Sequence, residues 1–298
     1  MGVKKLDFIV IGAQKAGTTS LYKYLQPHPK IYMPPEKEAP FFSSDDLYEL
    51  GWEWYVREFF EGAPEDKLWG KVTPQYMSDS RVPPRIYATM PNVKLIALLR
   101  NPVDRAFSHY RMTVRRGLDK RTFDDAVDEL LRDEMLEYAR SLPAGLENES
   151  KCYLVWGEFG RILGNYLQLF PKEQILVVFS DDLEQRPKEV LGTVLRFLGL
   201  GADFTPPNLG KRYHVGGTRK RLPVEVFKKV GLLRRMWKII PEKHRRRFLY
   251  WFEQWNTLPD KQPRMLPETR QRLVEFYRDD VKRLRQMLGI EVPWKEFV

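Results

Sequence analysis

A glycine-bounded loop near the start of the chain carries residue types that can bind phosphate. It follows an apolar run at 8–11 that predicts a buried strand. It precedes Leu21 and Leu25, whose spacing predicts one face of a helix. A turn between a strand and a helix directs backbone N–H groups and the positive end of the helix dipole at one anion. Gly12 and Gly17 let that anion approach the backbone closely.

The loop looks like an ATP-binding P-loop but departs from it in the residues that hold magnesium. After Gly-x4-Gly, a P-loop has lysine and then serine or threonine, whose hydroxyl binds Mg²⁺. Here Thr18 and Thr19 follow the second glycine, and the lysine lies inside the loop at Lys15. The hydroxyls of Thr18, Thr19 and Ser20, with an inner lysine, suit a phosphate that is bound without a metal.

A second candidate phosphate site follows an apolar run at 93–99, which predicts another buried strand. Arg100 stands at the carboxyl end of that strand. Asn101 and Pro102 predict the capped start of a helix, which places Ser108 on its second turn. Ligands of open α/β sheets bind beyond the carboxyl ends of the strands, so Arg100 is predicted to lie at the ligand edge.

A proline-rich loop contains a candidate base. Its charged residues are Glu36, Lys37 and Glu38, and Phe41 and Phe42 follow closely. The two phenylalanines are predicted to anchor the loop in the core and to bring Glu38 near the edge of the site. On composition alone, a solvated loop without any chemistry is the simpler interpretation.

Three segments together resemble the sulfotransferases that use 3′-phosphoadenosine 5′-phosphosulfate. Gly-x-x-Lys-x-Gly-Thr-Thr-x-Leu resembles their 5′-phosphosulfate loop, and Leu-Arg-Asn-Pro-x-x-Arg-x-x-Ser-x-Tyr resembles their 3′-phosphate motif. Lys-Glu-x-x-Phe-Phe resembles the segment that carries the catalytic base of the glycan-type members. An ordinary strand–helix corner explains either phosphate motif alone. The two motifs occur in the right order, each at a strand–helix junction, and by their conjunction the chain is identified as a member of this family.

The resemblance implies a role for each matching residue. Glu38 and Lys15 would be catalytic, Glu38 as the base and Lys15 as the group that stabilises charge on the departing 5′-phosphate. Arg100 and Ser108 would bind the 3′-phosphate. The residues implied to bind the nucleotide are Lys15, Ala16, Gly17, Thr18, Thr19, Ser20, Arg100, Ser108, Gly217, Thr218, Arg219 and Lys220. The last four belong to a late, glycine-rich basic loop. No metal is implied, and the four histidines show no metal-ligand spacing.

Two places need a separate interpretation. The segment Gly70 to Tyr76 resembles the family's Glu-Lys-Ser/Thr-Pro-x-Tyr, but Lys71 stands where glutamate is usual and Val72 where lysine often stands. This departure leaves open whether a lysine of this segment assists catalysis. Further along, Asp181 follows an apolar run and could be taken for a Walker B acid. We interpret Ser180 instead as a helix N-cap with acids in the first turn behind it.

Length and composition bound the class of protein. The chain has 298 residues, 43% of them hydrophobic, which is enough for one large α/β domain. Its single cysteine, Cys152, excludes an internal disulfide framework and favours a reducing compartment. No apolar run is long enough for a membrane span, and no signal peptide precedes the first strand. These features lead us to expect a cytoplasmic protein.

Positive charge is concentrated in one late segment. The formal net charge is +10, and residues 211–248 hold 14 Lys/Arg against 2 acids. Such a segment suggests an anionic ligand, acceptor or membrane surface, and non-specific nucleic-acid binding fits the same charge. Residues 226–256 are predicted to form a basic helical cover, for which a plain helical hairpin packed on the core is the alternative.

These features predict an α/β fold: a P-loop-like three-layer sandwich with a central parallel sheet flanked by helices, plus the basic helical C-terminal cover. One domain is predicted over 1–298, with an amphipathic helix at 266–288 near its end. The resemblance implies transfer of a sulfuryl group to a hydroxyl or amine of a glycan or small molecule, with an anionic acceptor as one option.

Two other functions stay open. A P-loop kinase shares the fold, although the loop lacks the Lys-Ser/Thr pair. A non-catalytic basic protein that binds anions or nucleic acid would lose its binding uniformly as salt rises. No specific nucleic-acid partner is predicted, membrane-surface contact through 226–256 is an option, and the sequence leaves the oligomeric state open.

Overall fold

The computed structural model describes residues 3–213, 218–220, 257–259 and 264–297. The chain divides into two compact units, Met1–His214 with Met265–Val298, and Val215–Arg264. The predicted basic helical cover at 226–256 lies outside the described residues. The prediction of one domain over 1–298 stays a prediction.

The first unit alternates strands and helices. Its strands are β1 (Phe8–Gly12), β2 (Ile31–Tyr32), β3 (Leu68–Val72), β4 (Lys94–Leu99) and β5 (Ile175–Phe179). Its helices are α1 (Thr18–Leu25), α2 (Asp45–Glu49), α3 (Gly51–Phe60), α4 (Val82–Thr89), α5 (Pro102–Arg116), α6 (Phe123–Leu130), α7 (Asp133–Ser141), α8 (Phe159–Leu167), α9 (Ser180–Gln185), α10 (Pro187–Phe197) and α11 (Pro267–Leu288). The second unit contains β6 (Thr218–Lys220) and β7 (Thr257–Pro259), which pair antiparallel. Within these described ranges, no helix has the length and apolar character that a membrane span requires.

Five strands form one parallel sheet in the order β2-β3-β1-β4-β5. β1 lies at the centre, and all five of its residues are buried, as expected for a parallel strand covered on both faces. Its pairing with β3 places Phe8 beside Gly70. A Cβ added to Gly70 would lie 2.1 Å from the Phe8 ring, so only glycine fits there. The predicted α/β fold with a parallel sheet and a P-loop-like strand–helix junction is confirmed.

Local sequence signals explain where α1, which follows the glycine-bounded loop, ends and where α5, which follows Arg100, begins. α1 ends at Leu25, before Pro27, which has no N–H to continue the helix. The side chain of Asn101 caps α5 by accepting hydrogen bonds from the N–H groups of Val103 at 3.0 Å and Asp104 at 3.4 Å. The predicted cap is therefore confirmed, and it fixes the corner that follows β4.

The predicted N-cap role of Ser180 is wrong. β5 runs directly into α9, so Ser180 is already the first helical residue and Phe179 occupies the cap position. Phe179 has no side-chain acceptor, and α9 has no side-chain cap bond. Asp181 and Asp182 do lie in the first turn, where the helix dipole favours negative charge. Asp182 is also bound by Arg186 at 2.6 Å.

The predicted final helix is present as α11, and it packs on α8. A Cβ on Gly160 would lie 2.3 Å from the carbonyl oxygen of Asp280, so glycine permits this close approach. The carboxylate of Asp280 accepts hydrogen bonds from the N–H groups of Gly160 at 2.7 Å and Arg161 at 2.8 Å. These bonds satisfy two of the unpaired N–H groups at the start of α8. Burial nevertheless raises the pKa of Asp280 to about 6.

Candidate active site

The glycine-bounded loop connects β1 to α1, as predicted. Gly17 is the N-cap of α1 with φ of 98°, and Lys15 has φ of 72°, a conformation that few non-glycine residues adopt. Within the described part of the chain, no side chain caps α1, and its first turn contains no acid. The N–H of Ser20 donates to the Gly17 carbonyl oxygen at 2.9 Å. The N–H groups of Thr18 and Thr19 are left to bind an anion, as the predicted phosphate loop requires.

The loop lysine lies in a strongly positive environment. Burial lowers the pKa of Lys15 to about 8, and three nearby arginines add to this effect. The arginines are Arg115, Arg116 and Arg100. Glu149 acts in the opposite direction. An anion bound at the loop would supply the negative charge that this cluster of cations needs.

Gln14 ties the loop to a buried carboxylate. Its Nε2 donates to Oε1 of Glu149 at 2.9 Å, and Oε2 of Glu149 pairs with Arg116 at 2.7 Å. Glu149 is 4% exposed, so this pairing compensates a buried charge. Neither Gln14 nor Glu149 was predicted from the sequence to take part in the site. No local signal marks Glu149, because its role arises from a contact with a residue 135 positions away.

Arg100 lies at the carboxyl end of β4, where it was predicted. Its Nη1 donates to the carbonyl oxygen of Lys15 at 3.4 Å. The structure therefore brings the predicted 3′-phosphate arginine to the loop that is predicted to bind the 5′-phosphate. Ser108 is half-buried on α5, and its role stays a prediction.

The loop that carries Glu38 is held by the segment after β3. The N–H of Ala39 donates to Oγ1 of Thr73 at 3.2 Å, and the Thr73 hydroxyl lies 3.3 Å from the Ala39 carbonyl oxygen. The hydroxyl of Tyr76 also donates to that carbonyl. The two phenylalanines of this loop are buried, as predicted. Thr73 and Tyr76 are the residues that match the family's Thr-Pro-x-Tyr, and here they fix the backbone next to the candidate base.

Two neighbours hold the carboxylate of Glu38. The ammonium of Lys37 lies 2.6 Å from Oε1, and Nε2 of Gln75 donates to Oε2 at 3.1 Å. Lys37 also donates to Oγ1 of Thr19 at 3.3 Å. Glu38 and the phosphate loop therefore lie within reach of one ammonium group. Neither Lys37 nor Gln75 was predicted to have a role, although both lie inside the matching segments.

Lys71 lies under the same loop. It is 1% exposed, and its Nζ donates to the carbonyl oxygen of Glu36 at 2.7 Å and sits 4.2 Å from the centre of the Phe59 ring. Burial lowers the pKa of Lys71 to about 8, against the effect of Glu36. The ammonium therefore supports the backbone of the loop that carries Glu38.

The segment before the late basic loop runs along α1. The N–H of Tyr213 donates to Oγ of Ser20 at 3.3 Å, and the hydroxyl of Tyr24 donates to the carbonyl of Lys211 at 3.0 Å. Gly217 lies outside the described residues, and Thr218, Arg219 and Lys220 are described only as strand β6. The predicted nucleotide-binding roles of these four residues stay predictions.

Two of the four histidines pack as aromatic core residues. The ring of His109 stacks on Trp156 with 5.0 Å between centroids, and that of His28 meets Phe204 edge-on at 4.5 Å. Among the residues that the structure describes, no group of three or more His, Cys, Asp and Glu side chains could hold a metal ion. The prediction that no metal takes part stays a prediction.

Comparisons with known proteins identify the family of this chain. The family model described as the sulfotransferase domain matches residues 5–285. The membrane-associated sulfotransferase kil1 of Dictyostelium discoideum is 42% identical over 111 residues, which are 37% of this chain and 23% of that protein. The human heparan sulfate glucosamine 3-O-sulfotransferase 3B1 is 33% identical over 200 residues, which are 67% of this chain and 47% of that protein. The chain thus spans less than half the length of these curated relatives.

A solved structure is similar over almost its whole length. The crystal structure of a sulfotransferase from Alicyclobacillus acidocaldarius has a TM-score of 0.68 and 25% identity, and the match covers 97% of this chain and 98% of that one. The family match over nearly the whole chain confirms the resemblance that the phosphate motifs indicated. The chain belongs to the sulfotransferase family.

Proposed function

We propose that this chain transfers a sulfuryl group from 3′-phosphoadenosine 5′-phosphosulfate to a hydroxyl or amine of a glycan. One observation carries the proposal: the ammonium of Lys37 contacts both the Glu38 carboxylate, at 2.6 Å, and the Thr19 hydroxyl, at 3.3 Å. A candidate base thus stands beside a candidate phosphate loop. The family generally uses this nucleotide as its donor.

The residues around the loop suit a nucleotide that carries phosphate groups at both the 5′ and the 3′ position of its ribose. The uncapped start of α1 and the hydroxyls of Thr18 and Thr19 would hold the 5′-phosphate. Arg100 and Ser108 would hold the 3′-phosphate, which distinguishes this donor from ATP. When bound, the donor supplies a sulfuryl group whose bond to the 5′-phosphate oxygen is exchanged for a bond to the acceptor. Lys15 would stabilise the charge left on that phosphate oxygen.

Glu38 is suited to accept the proton of the attacking group. An ionised carboxylate offers about four lone-pair sites, and Lys37 and Gln75 occupy two of them. The side chain is 42% exposed, so an acceptor can reach the remaining sites. Positioning of the two reactants and stabilisation of charge supply most of the catalysis in transfers of this kind.

Charge and relatives favour an anionic glycan as the acceptor. Arg115 and Arg116 at the end of α5 lie close enough to Lys15 to lower its pKa, so the loop side of the site carries positive charge. Heparan sulfate is named for a relative that is 33% identical. A cytoplasmic location stays an expectation from the sequence.

The test is a transfer assay with labelled donor, read by mass spectrometry. The probes are heparan sulfate, its unsulfated glucuronic acid–glucosamine backbone, a neutral chitooligosaccharide and 4-nitrophenol. We expect a sulfated glycan product with wild type and a large loss with Glu38→Gln. Adenosine 3′,5′-bisphosphate should bind in the absence of Mg²⁺ and in preference to ATP. Phosphorylated products with ATP would support a kinase, and nucleotide binding without transfer to any probe would support a binding protein.

A further inference from the structure

Glu149 is a buried acid next to the cations of the phosphate loop. It begins a short 3₁₀ turn, Glu149–Lys151, and is 4% exposed. Three arginines lower the pKa of Lys15 in the loop, whereas Glu149 raises it. A charge that is close enough to act on the Lys15 ammonium is also close enough to act on an anion that this ammonium binds. The negative charge of Glu149 therefore opposes the binding of phosphate at the loop.

Two contacts hold this carboxylate in place. Nε2 of Gln14, the loop residue before Lys15, donates to Oε1 at 2.9 Å. Nη1 of Arg116, at the end of α5, lies 2.7 Å from Oε2. The Arg116 side chain is 46% exposed, so without the acid its guanidinium would be open to solvent and to a ligand. Glu149 thus reduces the attraction for an anion twice, by its own charge and by neutralising Arg116.

The reaction changes the charge of the phosphate that the loop would hold. In the donor, the 5′-phosphate is joined to sulfur through a bridging oxygen and carries one negative charge. Transfer breaks the bond between sulfur and that oxygen, and the electron pair stays on the oxygen, while the proton of the acceptor passes to Glu38. The product is a phosphate monoester, which carries about −1.5 to −2 charges at pH 7. A fixed negative charge beside the loop consequently repels the product more than the donor.

We propose that Glu149 limits the hold of the phosphate loop on the 5′-phosphate and so favours the release of adenosine 3′,5′-bisphosphate after each transfer. This inference rests on the proposed function and adds to it a residue that acts on the nucleotide through its charge. In many enzymes product release limits turnover, so weaker binding of the product raises the rate. The alternative is an ion pair that only anchors the 149–151 turn to α5. That alternative predicts weaker nucleotide binding whenever the pair is broken.

Calorimetric titration with adenosine 3′,5′-bisphosphate separates the two accounts. Glu149→Gln removes the charge but keeps an oxygen that can accept from Gln14. Its dissociation constant should fall about three- to tenfold, as for the loss of one partly screened like charge, and product inhibition should become stronger in parallel. Arg116→Gln leaves the charge of Glu149 unpaired, so the dissociation constant should rise. An ion pair that only anchors the turn would make both variants bind the nucleotide more weakly.

The pH dependence of kcat/KM for the donor is a second readout, which an anchoring role would not change. The charged groups that act on Lys15 are Glu149 and the three arginines, and Glu149 raises its pKa whereas Arg116 lowers it. The nearby ring of His109 stays neutral, because burial and then the charge of Arg105 hold its pKa well below the ordinary value. The alkaline fall in kcat/KM should therefore begin at lower pH in Glu149→Gln and at higher pH in Arg116→Gln.

A matched control breaks a similar ion pair elsewhere. Glu158 is also 4% exposed, and its carboxylate pairs with Arg140 and Arg161, each at 2.6 Å. Glu158→Gln should lower the free energy of unfolding and leave the affinity for adenosine 3′,5′-bisphosphate unchanged. Unchanged or weaker binding in Glu149→Gln would overturn the inference and leave the proposed function intact, as would unchanged or tighter binding in Arg116→Gln. Failure of wild type to bind this nucleotide would overturn both.

Discussion

The ammonium of Lys71 donates a hydrogen bond of 2.7 Å to the carbonyl oxygen of Glu36, two residues before the candidate base. The lysine lies in β3, at the level of Ile9 in the neighbouring strand. It is thus a charge inside the core, and the lowered pKa of Lys71, about 8, reflects the cost of burying it. The ammonium of Lys71 thus helps to hold the backbone of the loop that carries Glu38. A glutamate, which is usual at this position in the family, could not donate this hydrogen bond when ionised.

Lys71→Met should remove a pH dependence of stability. The pKa of Lys71 is about 8 in the folded protein and has its ordinary value of 10.5 in the unfolded chain. Between these values the unfolded chain binds more protons, so this residue makes the free energy of unfolding rise with pH. Urea unfolding at about pH 7 and about pH 10 should show wild type gaining stability relative to the variant. A constant difference between the two proteins would contradict the buried-charge account.

Glu38→Gln should lower turnover by about 10²–10⁴, the usual contribution of a general base. The amide keeps the shape of the side chain but cannot accept the proton, so the affinity for adenosine 3′,5′-bisphosphate should stay nearly the same. Calorimetric titration and acceptor kinetics measure the two effects. Glu36→Gln, an exposed neighbour in the same loop, is the matched control and should leave turnover close to wild type. Near-normal turnover in Glu38→Gln would remove this residue from the mechanism.

Arg100→Ala should weaken adenosine 3′,5′-bisphosphate by about ten- to a hundredfold, because a hydrogen bond to a charged group contributes about 1.5–3 kcal/mol. The affinity for adenosine 5′-monophosphate, which lacks the 3′-phosphate, should fall much less. The ratio of the two dissociation constants is the measurement, since it cancels changes that affect the whole site. If both nucleotides weaken equally, Arg100 supports the loop through the Lys15 carbonyl and does not read the 3′-phosphate.

The value of kcat/KM for the donor should fall above about pH 8, because the pKa of Lys15 in the free protein is about 8 and only the ammonium neutralises the departing phosphate. The arginine of Lys15→Arg stays charged over the whole pH range, so this variant should have a lower kcat/KM but should not show the fall above about pH 8. Lys71 has a similar pKa, so Lys71→Met is the control and should retain the fall. If Lys71→Met loses the alkaline fall in kcat/KM and Lys15→Arg keeps it, the fall reports the titration of Lys71, which supports the Glu38 loop, and not that of Lys15.

Local signals made part of the site predictable. The glycine spacing around Lys15 and the cap at Asn101 depend on a few adjacent residues, and both junctions formed as expected. The burial of Phe41 and Phe42 followed from the same kind of local pattern.

Contacts between distant segments were not predictable in this way. Gln14 and Glu149 are 135 residues apart, and Gln75 reaches Glu38 across 37, so neither pair leaves a periodic trace in the sequence. Ser180 was misassigned for another reason. Its residue type suits a cap, but the strand before it continues straight into the helix, so no turn residue separates the two.

The central place of β1 in the sheet has a consequence for synthesis of the chain. Its partners are β3 and β4, and Phe8 is 86 residues ahead of its partner Lys94 in β4. At ribosomal rates of about 5–20 residues per second, the strand that leads into the phosphate loop waits for roughly 5–20 seconds before both neighbours have been made. The corner after β4 is completed later still, because the side chain of Asn101 donates a hydrogen bond to Glu296, which is 195 residues further along the chain. Until β4 has been made, at least one edge of this apolar strand has no partner, and an unpaired apolar edge of this kind is a place where a nascent chain can aggregate unless a chaperone shields it.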